Sequence, residues 1–71
     1  MDSVHITITV NGTSRDVAVG CTLAGLLAEL QLNPKFLAVE RNLTVVPRTA
    51  HGQCILEAND ELEIVTLVGG G

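Results

Sequence analysis

The N-terminal part of the chain restricts the fold more than any other segment. Apolar residues there occupy every second position, at Val4, Ile6, Ile8 and Val10. This period is typical of a strand with one buried and one solvated face. Asn11-Gly12 follows directly, and that dipeptide favours the two-residue turn in which both central residues need positive φ. The sequence therefore predicts a β-hairpin, with residues 13–19 as the returning strand.

One amphipathic helix is predicted after the hairpin. Leucines recur at helical spacing, at Leu23, Leu26, Leu27 and Leu30. They form one stripe that can pack on a sheet. Thr22 stands where its side chain can cap the helix by accepting a hydrogen bond from a backbone N–H one turn further on. Asn33-Pro34 predicts the end of the helix, because proline disfavours a helical conformation in the residue before it.

The rest of the chain predicts further strands. Residues 36–40 indicate a short, largely buried strand, and residues 43–46 a second apolar piece that Pro47 restricts to an edge or a strand end. Residues 48–53 are polar and are expected to be irregular. A polar turn then leads into a strongly apolar last strand, residues 61–68.

This order of elements predicts an α+β fold, with one mixed sheet and one main helix packed across one face. It is the order of the ubiquitin-like β-grasp. The sequence shows no internal repeat and no low-complexity segment apart from the terminal glycines. We therefore expect a β-grasp domain over residues 1–68 and a C-terminal glycine tail over residues 69–71.

Size and composition argue against several classes of function. A chain of 71 residues forms one small domain with little room for an enclosed substrate pocket, so we expect no catalytic residues. Its longest apolar stretches run four residues, far short of the roughly 20 that cross a bilayer. Without a signal-peptide pattern, the expected compartment is the cytoplasm. The formal net charge of −4 has the wrong sign for a nucleic-acid partner.

The glycine tail is the candidate functional element. Three consecutive glycines, Gly69, Gly70 and Gly71, have no packing purpose, because they lack side chains and have the most backbone entropy to lose. A plain terminus is one interpretation. In the other, the tail threads a narrow channel of a second protein and presents the carboxylate of Gly71. A phosphate-binding loop is not expected, because no helix sequence follows the glycines.

A terminal carboxylate needs activation before it can transfer an acyl group. Its attack on the α-phosphate of ATP would give an acyl-adenylate with AMP as a good leaving group. A sulfur nucleophile could then displace AMP, which splits one difficult step into two easier ones.

Four short pieces of the sequence stand out by their order and spacing: residues 38–42 (AVERN), 45–48 (VVPR), 60–65 (DELEIV) and 68–71 (VGGG). Together they resemble the ThiS family of thiamine-biosynthesis sulfur carriers. The resemblance covers nearly the whole chain, and the order and spacing of the pieces are more specific than a double glycine alone.

The resemblance implies that Gly71 is adenylated by an ATP-using adenylyltransferase of the ubiquitin-activating type and becomes a thiocarboxylate. Thiazole synthase would then take the sulfur, and a sulfur-donor protein would be a further partner. Gly69 and Gly70 would form the threading tail, while Leu67 and Val68 would dock on partners, since exposed apolar residues mark interfaces. The chain would bind no cofactor and would be a protein co-substrate rather than an enzyme, with a monomer as the default.

Two positions depart from the usual pattern of the family. Asn59 stands where glycine commonly precedes the aspartate, although asparagine can adopt the same left-handed conformation. Leu43 stands where small or polar turn residues are common, and is a candidate exposed contact.

Three other functions share parts of this evidence. Molybdopterin synthase small subunits have the same fold, tail and thiocarboxylate, and the segment from Glu40 to Arg48 favours the thiamine pathway over them. A ubiquitin-like protein modifier would use the same adenylation with an amine as the acceptor. A non-conjugating β-grasp interaction module would bind partners without its glycines.

The cysteines, histidines and remaining charged side chains are expected to have structural rather than chemical roles. Cys21 and Cys54 are expected to be core or near-core thiols. His51 and Cys54 supply only half of a structural zinc site, so no metal site is predicted. His51 is expected to be a solvated loop residue and His5 an exposed strand residue. Glu40 and Arg41 with Arg48 form a candidate polar docking rim or, equally, a solvated edge.

Overall fold

A computed structural model describes residues 4–67 of the chain. Residues 1–3 and the predicted tail and docking residues Val68, Gly69, Gly70 and Gly71 lie outside the described residues, as does the predicted boundary between domain and tail. The elements in chain order are β1 (His5–Val10), β2 (Thr13–Ala18), α1 (Leu23–Glu29), a 3₁₀ helix (Pro34–Phe36), β3 (Leu37–Arg41), β4 (Thr44–Val46), a second 3₁₀ helix (Arg48–Gln53) and β5 (Glu61–Thr66).

The strands form one five-stranded sheet in the order β2-β1-β5-β3-β4. β5 pairs in parallel with β1 and antiparallel with β3, so the sheet is mixed, as predicted. The last strand in sequence is therefore central in the sheet. β4 lies at an edge and Pro47 follows its last residue, which confirms the prediction for this piece. No helix in the described part of the chain is long and apolar enough to cross a membrane.

Two hairpins use the same turn geometry. Asn11 and Gly12 have φ of 51° and 82°, and the register runs from Val10 opposite Thr13 to His5 opposite Ala18. The predicted hairpin is confirmed. The turn between β3 and β4 consists of Asn42 and Leu43, with φ of 51° and 70°.

The helix packs its leucine stripe on one face of the sheet. Thr22 accepts a hydrogen bond from the backbone N–H of Gly25 (3.1 Å), which confirms the predicted cap. Leu30 is the C-cap residue, and Gln31 has a φ of 59°. The helix therefore ends before Asn33-Pro34, which instead starts the first 3₁₀ helix. The buried core consists of Ile8, Val17, Leu23, Leu26, Leu27, Leu37, Val39, Leu56 and Leu62.

The predicted strand over residues 36–40 is present as β3, one residue later at Leu37–Arg41, with Leu37 and Val39 buried. Phe36 does not belong to it, because it lies in the 3₁₀ helix and is 55% exposed. The prediction for His51 is wrong. His51 is not solvated but 4% exposed, since the segment expected to be irregular winds into a 3₁₀ helix that turns this side chain inward. Its Nε2 lies 3.2 Å from the carbonyl oxygen of Val46, so the imidazole joins this helix to the end of β4.

Replacing Thr22 by alanine should lower the free energy of unfolding by about 1 kcal/mol, because the backbone N–H of Gly25 loses its side-chain acceptor. Thr22→Ser keeps the oxygen and should lose less than half as much. Urea denaturation monitored by circular dichroism measures both. Equal losses in the two variants would show that the hydrogen bond contributes nothing.

Candidate functional site

The described structure ends where the predicted tail begins, at the end of β5. Thr66 pairs with Leu37 of β3, and the next residue, Leu67, donates its backbone N–H to the carbonyl oxygen of Phe36 at 2.7 Å. The last described residue is thus held by the sheet.

Asn11 holds β5 from its other side. Its Oδ1 accepts the backbone N–H of Ile64 at 2.7 Å, and its Nδ2 donates to the carbonyl oxygen of Ile64 at 3.2 Å. β1 ends at Val10, where the backbone turns at Asn11-Gly12. The Asn11 side-chain amide therefore makes the pair of hydrogen bonds to β5 that a further β1 residue would have made with its backbone. The sequence predicted only a turn role for Asn11. Its contact with Ile64 was not predicted, because no sequence pattern connects two residues 53 positions apart.

Exposed apolar side chains surround the point where the tail leaves. Leu67 is 55% exposed, Val65 is 53% exposed, and Phe36 lies beside them. Val65 and Ala38 are directly opposite each other on the face away from α1. We call these four residues the apolar patch. Leu67 is exposed, as the prediction of a docking role for it requires, whereas its predicted partner Val68 lies outside the described residues.

Asp60, just before β5, organises the other end of that strand. Its Oδ2 accepts the Arg41 Nε–H at 2.9 Å and the Glu57 backbone N–H at 2.8 Å. Its Oδ1 accepts from the Asn42 side chain at 3.1 Å. Arg41 Nη2 also donates to the carbonyl oxygen of Ile55 at 3.1 Å. Arg41 is thus bound within the domain and does not belong to the polar docking rim considered from the sequence.

The Asp60 side chain is buried, and its pKa reflects opposing effects. Burial raises the pKa of this carboxyl, but the hydrogen bonds from Glu57, Asn42 and Arg41 and the positive charge of Arg41 outweigh it and lower the pKa below the ordinary value of 3.8. The ionised carboxylate is therefore the form that the fold stabilises.

Asn59 confirms the conformation expected of it. Its φ is 70°, and its backbone N–H donates to the carbonyl oxygen of Thr7 at 2.8 Å. Asparagine thus fills the left-handed position before the aspartate.

Both cysteines are free thiols of intermediate burial that pack against the core, which confirms the structural interpretation. Each cysteine directly precedes one of the two residues, Thr22 and Ile55, that pair in an isolated antiparallel β-bridge. Burial raises the pKa of the Cys21 thiol, and the charge of Glu29 raises it further. A protonated thiol is a poor nucleophile.

The described residues hold no group of three or more His, Cys, Asp or Glu side chains that could bind a metal ion. A shallow groove of about 700 Å³ runs along β4 and includes Arg41, Cys54 and Asp60. Its cation and its buried carboxylate already bind each other. Neither Arg41 nor Asp60 in this groove is therefore free to act as a general acid or base.

Comparison with known proteins agrees with this geometry. The sequence profile of the ThiS family matches residues 8–71. The chain belongs to the ThiS family. A crystal structure of the thiamine biosynthesis protein ThiS from Geobacter metallireducens superposes with a TM-score of 0.80 at 29% identity, over 93% of this chain and 100% of that one. The β-grasp prediction is thereby confirmed.

Two curated relatives differ in length. The sulfur carrier protein ThiS of Bacillus subtilis is 40% identical over 50 residues, which is 70% of this chain and 76% of that protein. A thiazole synthase of Paramagnetospirillum magneticum is 39% identical over 64 residues, which is 90% of this chain but 20% of that protein. The chain thus spans one fifth of the length of the thiazole synthase. Membership of the ThiS family agrees with the predicted carrier role for this domain.

Replacing Asp60 by asparagine should lower the free energy of unfolding at pH 7 by about 2–4 kcal/mol, because Arg41 loses its buried counter-charge. Since the folded-state pKa of Asp60 is depressed, its contribution is complete above the ordinary value of 3.8 and is lost as the pH falls through the folded-state pKa. The wild-type chain should therefore lose stability below about pH 4 more steeply than the variant.

Urea denaturation between pH 7 and pH 2 measures this difference. Asp16→Asn is the matched control, because among residues 4–67 its exposed carboxylate accepts a hydrogen bond from the Thr7 hydroxyl alone, and it should cost less than about 1 kcal/mol. Parallel pH profiles for wild type and Asp60→Asn would contradict the assignment.

Proposed function

We propose that this chain carries sulfur for thiamine thiazole formation as a thiocarboxylate on the C-terminal carboxylate of Gly71. The observation that carries the proposal is the ThiS-family match over residues 8–71, which includes all three tail glycines. The similarity of the chain to a segment of a thiazole synthase supports the thiamine pathway over the molybdenum-cofactor pathway.

The chemistry has two steps. An oxygen of the Gly71 carboxylate attacks the α-phosphate of ATP in an adenylyltransferase of the ubiquitin-activating type, which forms an acyl-adenylate and releases pyrophosphate. Sulfide released by a donor protein then attacks the acyl carbon, AMP leaves with the electrons of the C–O bond, and loss of the sulfur's proton leaves the thiocarboxylate. Thiazole synthase is the proposed acceptor of the resulting sulfur. The carrier itself contributes no catalytic group and binds no cofactor.

The fold holds the end of β5, the strand that precedes the tail. Two hydrogen bonds between the Asn11 side chain and the Ile64 backbone, and one from the Leu67 N–H to the carbonyl oxygen of Phe36, hold the end of β5. Beyond it, Gly69 and Gly70 can pass a channel that a Cβ atom would block. The apolar patch lies where a partner must approach to receive the tail, so Leu67 is proposed as a docking residue together with Val68.

The proposed setting is the cytoplasm, where ATP is available, with the chain monomeric when free. Neither nucleic acid nor membrane is a proposed partner. The proposal requires a free α-carboxylate at Gly71 in the working protein, whether the domain acts alone or is released from a longer chain.

Intact-protein mass spectrometry tests the chemistry directly. The full chain and a variant lacking Gly70 and Gly71 are incubated with ATP, a sulfide source and an extract of the host cells. Exchange of one oxygen for one sulfur, confined to the C-terminus of the full chain, is expected. Lysine-linked adducts without that exchange would indicate a protein modifier. No change of either kind would indicate an interaction module.

Leu67→Ser should raise the KM of the adenylation reaction for the carrier about 5- to 30-fold, because a buried apolar contact at an interface contributes about 1–2 kcal/mol. The kcat should change little, since Leu67 does not touch the reacting carboxylate. ATP–pyrophosphate exchange measures both constants. Val19→Ser removes a similarly exposed apolar side chain outside the apolar patch and is the matched control. Equal KM values for the two variants would exclude Leu67 from docking.

A further inference from the structure

The end of β5 has a neighbouring strand on one side only. On the side of β3, pairing continues to the last described residue, since the Leu67 N–H donates to the carbonyl oxygen of Phe36 at 2.7 Å. On the other side, the pairing with β1 covers Glu61 and Leu62. Thr66, the last residue of β5, lies well beyond the end of β1.

The backbone groups of Thr66 point toward the side that β1 leaves open. In an antiparallel pair, successive residues alternate between bonding to the neighbouring strand and pointing away from it. Because Leu67 bonds across to the segment before β3, Thr66 is opposite Leu37 in a non-hydrogen-bonded pair. Ile64 points the same way as Thr66, but the Asn11 side chain binds both of its backbone groups.

The N–H and C=O of Thr66 have no such partner. Within residues 4–67, neither group makes a hydrogen bond. We call these two groups the open edge. Thr66 is exposed, and a Cβ atom added to Gly12 in the adjoining turn would meet no other described atom within 4 Å. A further strand can therefore approach, and an unpaired strand edge is a template for one.

The tail that follows can be recognised only through its backbone. Residues 69–71 have no side chains, so a protein that binds them specifically does so by hydrogen bonds to main-chain groups. In an extended chain, the backbone groups of alternate residues face the same side. Val68 and Gly70 would thus continue the row that begins at Thr66.

The outer edges of the sheet are less suited to a protein that receives the tail. β2 and β4 are the edge strands, and each lies two strands from β5. Their edges are therefore about 10 Å from the strand that precedes the tail. A strand added to either of them could not also run along the glycines.

We propose that the protein receiving the tail adds an extended strand to the open edge and continues along the tail. Its main-chain hydrogen bonds join it to Thr66, Val68 and Gly70. That this protein is the adenylyltransferase rests on the proposed function. The Asn11 side chain limits how far the added strand reaches, because it already occupies the pairing position at Ile64. The apolar patch is a separate contact, since it lies on a face of the sheet.

Amide hydrogen exchange of the ¹⁵N-labelled chain tests the open edge directly. In the free chain the Thr66 amide should exchange about 100-fold faster than the hydrogen-bonded Ile64 amide. Exchange is then allowed in the complex with the adenylyltransferase and read by NMR after dissociation. The Thr66 amide should slow at least about tenfold. Unchanged exchange would overturn the proposal, as would protection that needs only a higher concentration of the chain, which would assign the edge to a second copy.

A matched pair of proline variants tests the contact by affinity. Thr66→Pro removes the outward N–H of the open edge. Ser14→Pro removes an outward N–H from β2, where Ser14 is opposite Thr9 in a non-hydrogen-bonded pair. Strand edges tolerate proline at such positions, so both urea midpoints should stay near the wild-type value. Thr66→Pro should raise the Kd for the adenylyltransferase without ATP about tenfold, and Ser14→Pro should leave it unchanged. Equal Kd values would overturn the proposal.

A backbone ester removes the same N–H without introducing a ring. A synthetic peptide of residues 54–71 can be ligated at Cys54 with lactic acid in place of residue 66. Thr66→Ala, made in the same way, has the same methyl side chain and an intact amide. The ester should raise the Kd about 3- to 10-fold relative to the alanine chain. Equal affinities would overturn the proposal even if the proline variant binds weakly.

The open edge and the proposed function fail in different ways. Binding without ATP needs no chemistry at the tail. If the wild-type chain is bound but not adenylated, the proposed function fails, and the ester still decides the open edge. If adenylation is normal while the ester and alanine chains bind equally, only the open edge fails. A wild-type chain that is not bound at all overturns the proposal.

Discussion

The buried carboxylate of Asp60 is the contact on which the arrangement of this small domain depends. It accepts hydrogen bonds from Arg41, from Asn42 and from the backbone of Glu57, and Asn42 in turn accepts the backbone N–H of Glu61. One side chain thereby joins the end of β3, its turn and the start of β5. Because a buried charge is costly without partners, each of these segments is constrained to the position that satisfies it.

The position of β5 sets the geometry of the apolar patch. The strand is central in the sheet, and Asn11 and Phe36 hold its far end through hydrogen bonds to Ile64 and Leu67. The last described residue of the chain is therefore held by the sheet. The apolar patch lies at that end of the strand, so a partner that approaches the C-terminus meets it.

The sequence pieces that carry the family resemblance serve two different purposes. Arg41, Asn42 and Asp60 are bound to one another inside the domain, so the fold requires them whatever the tail does. The tail glycines carry no side chains, so the proposal assigns them to chemistry at the terminus. The family resemblance thus rests largely on residues that stabilise the domain, while the proposed function rests on the terminal glycines.

Local patterns determined much of this structure in advance. The first hairpin, the threonine cap and the leucine stripe were predictable because each depends on residues within about one or two turns of chain. The glycine tail was visible in the same way. Tertiary structure alone decided that His51 is buried, that Arg41 serves Asp60, that Asn11 reaches Ile64, and that Glu40 opposes Glu63. These contacts join residues on different segments, and which segments meet is set by the packing of the whole sheet against α1, which no local pattern encodes.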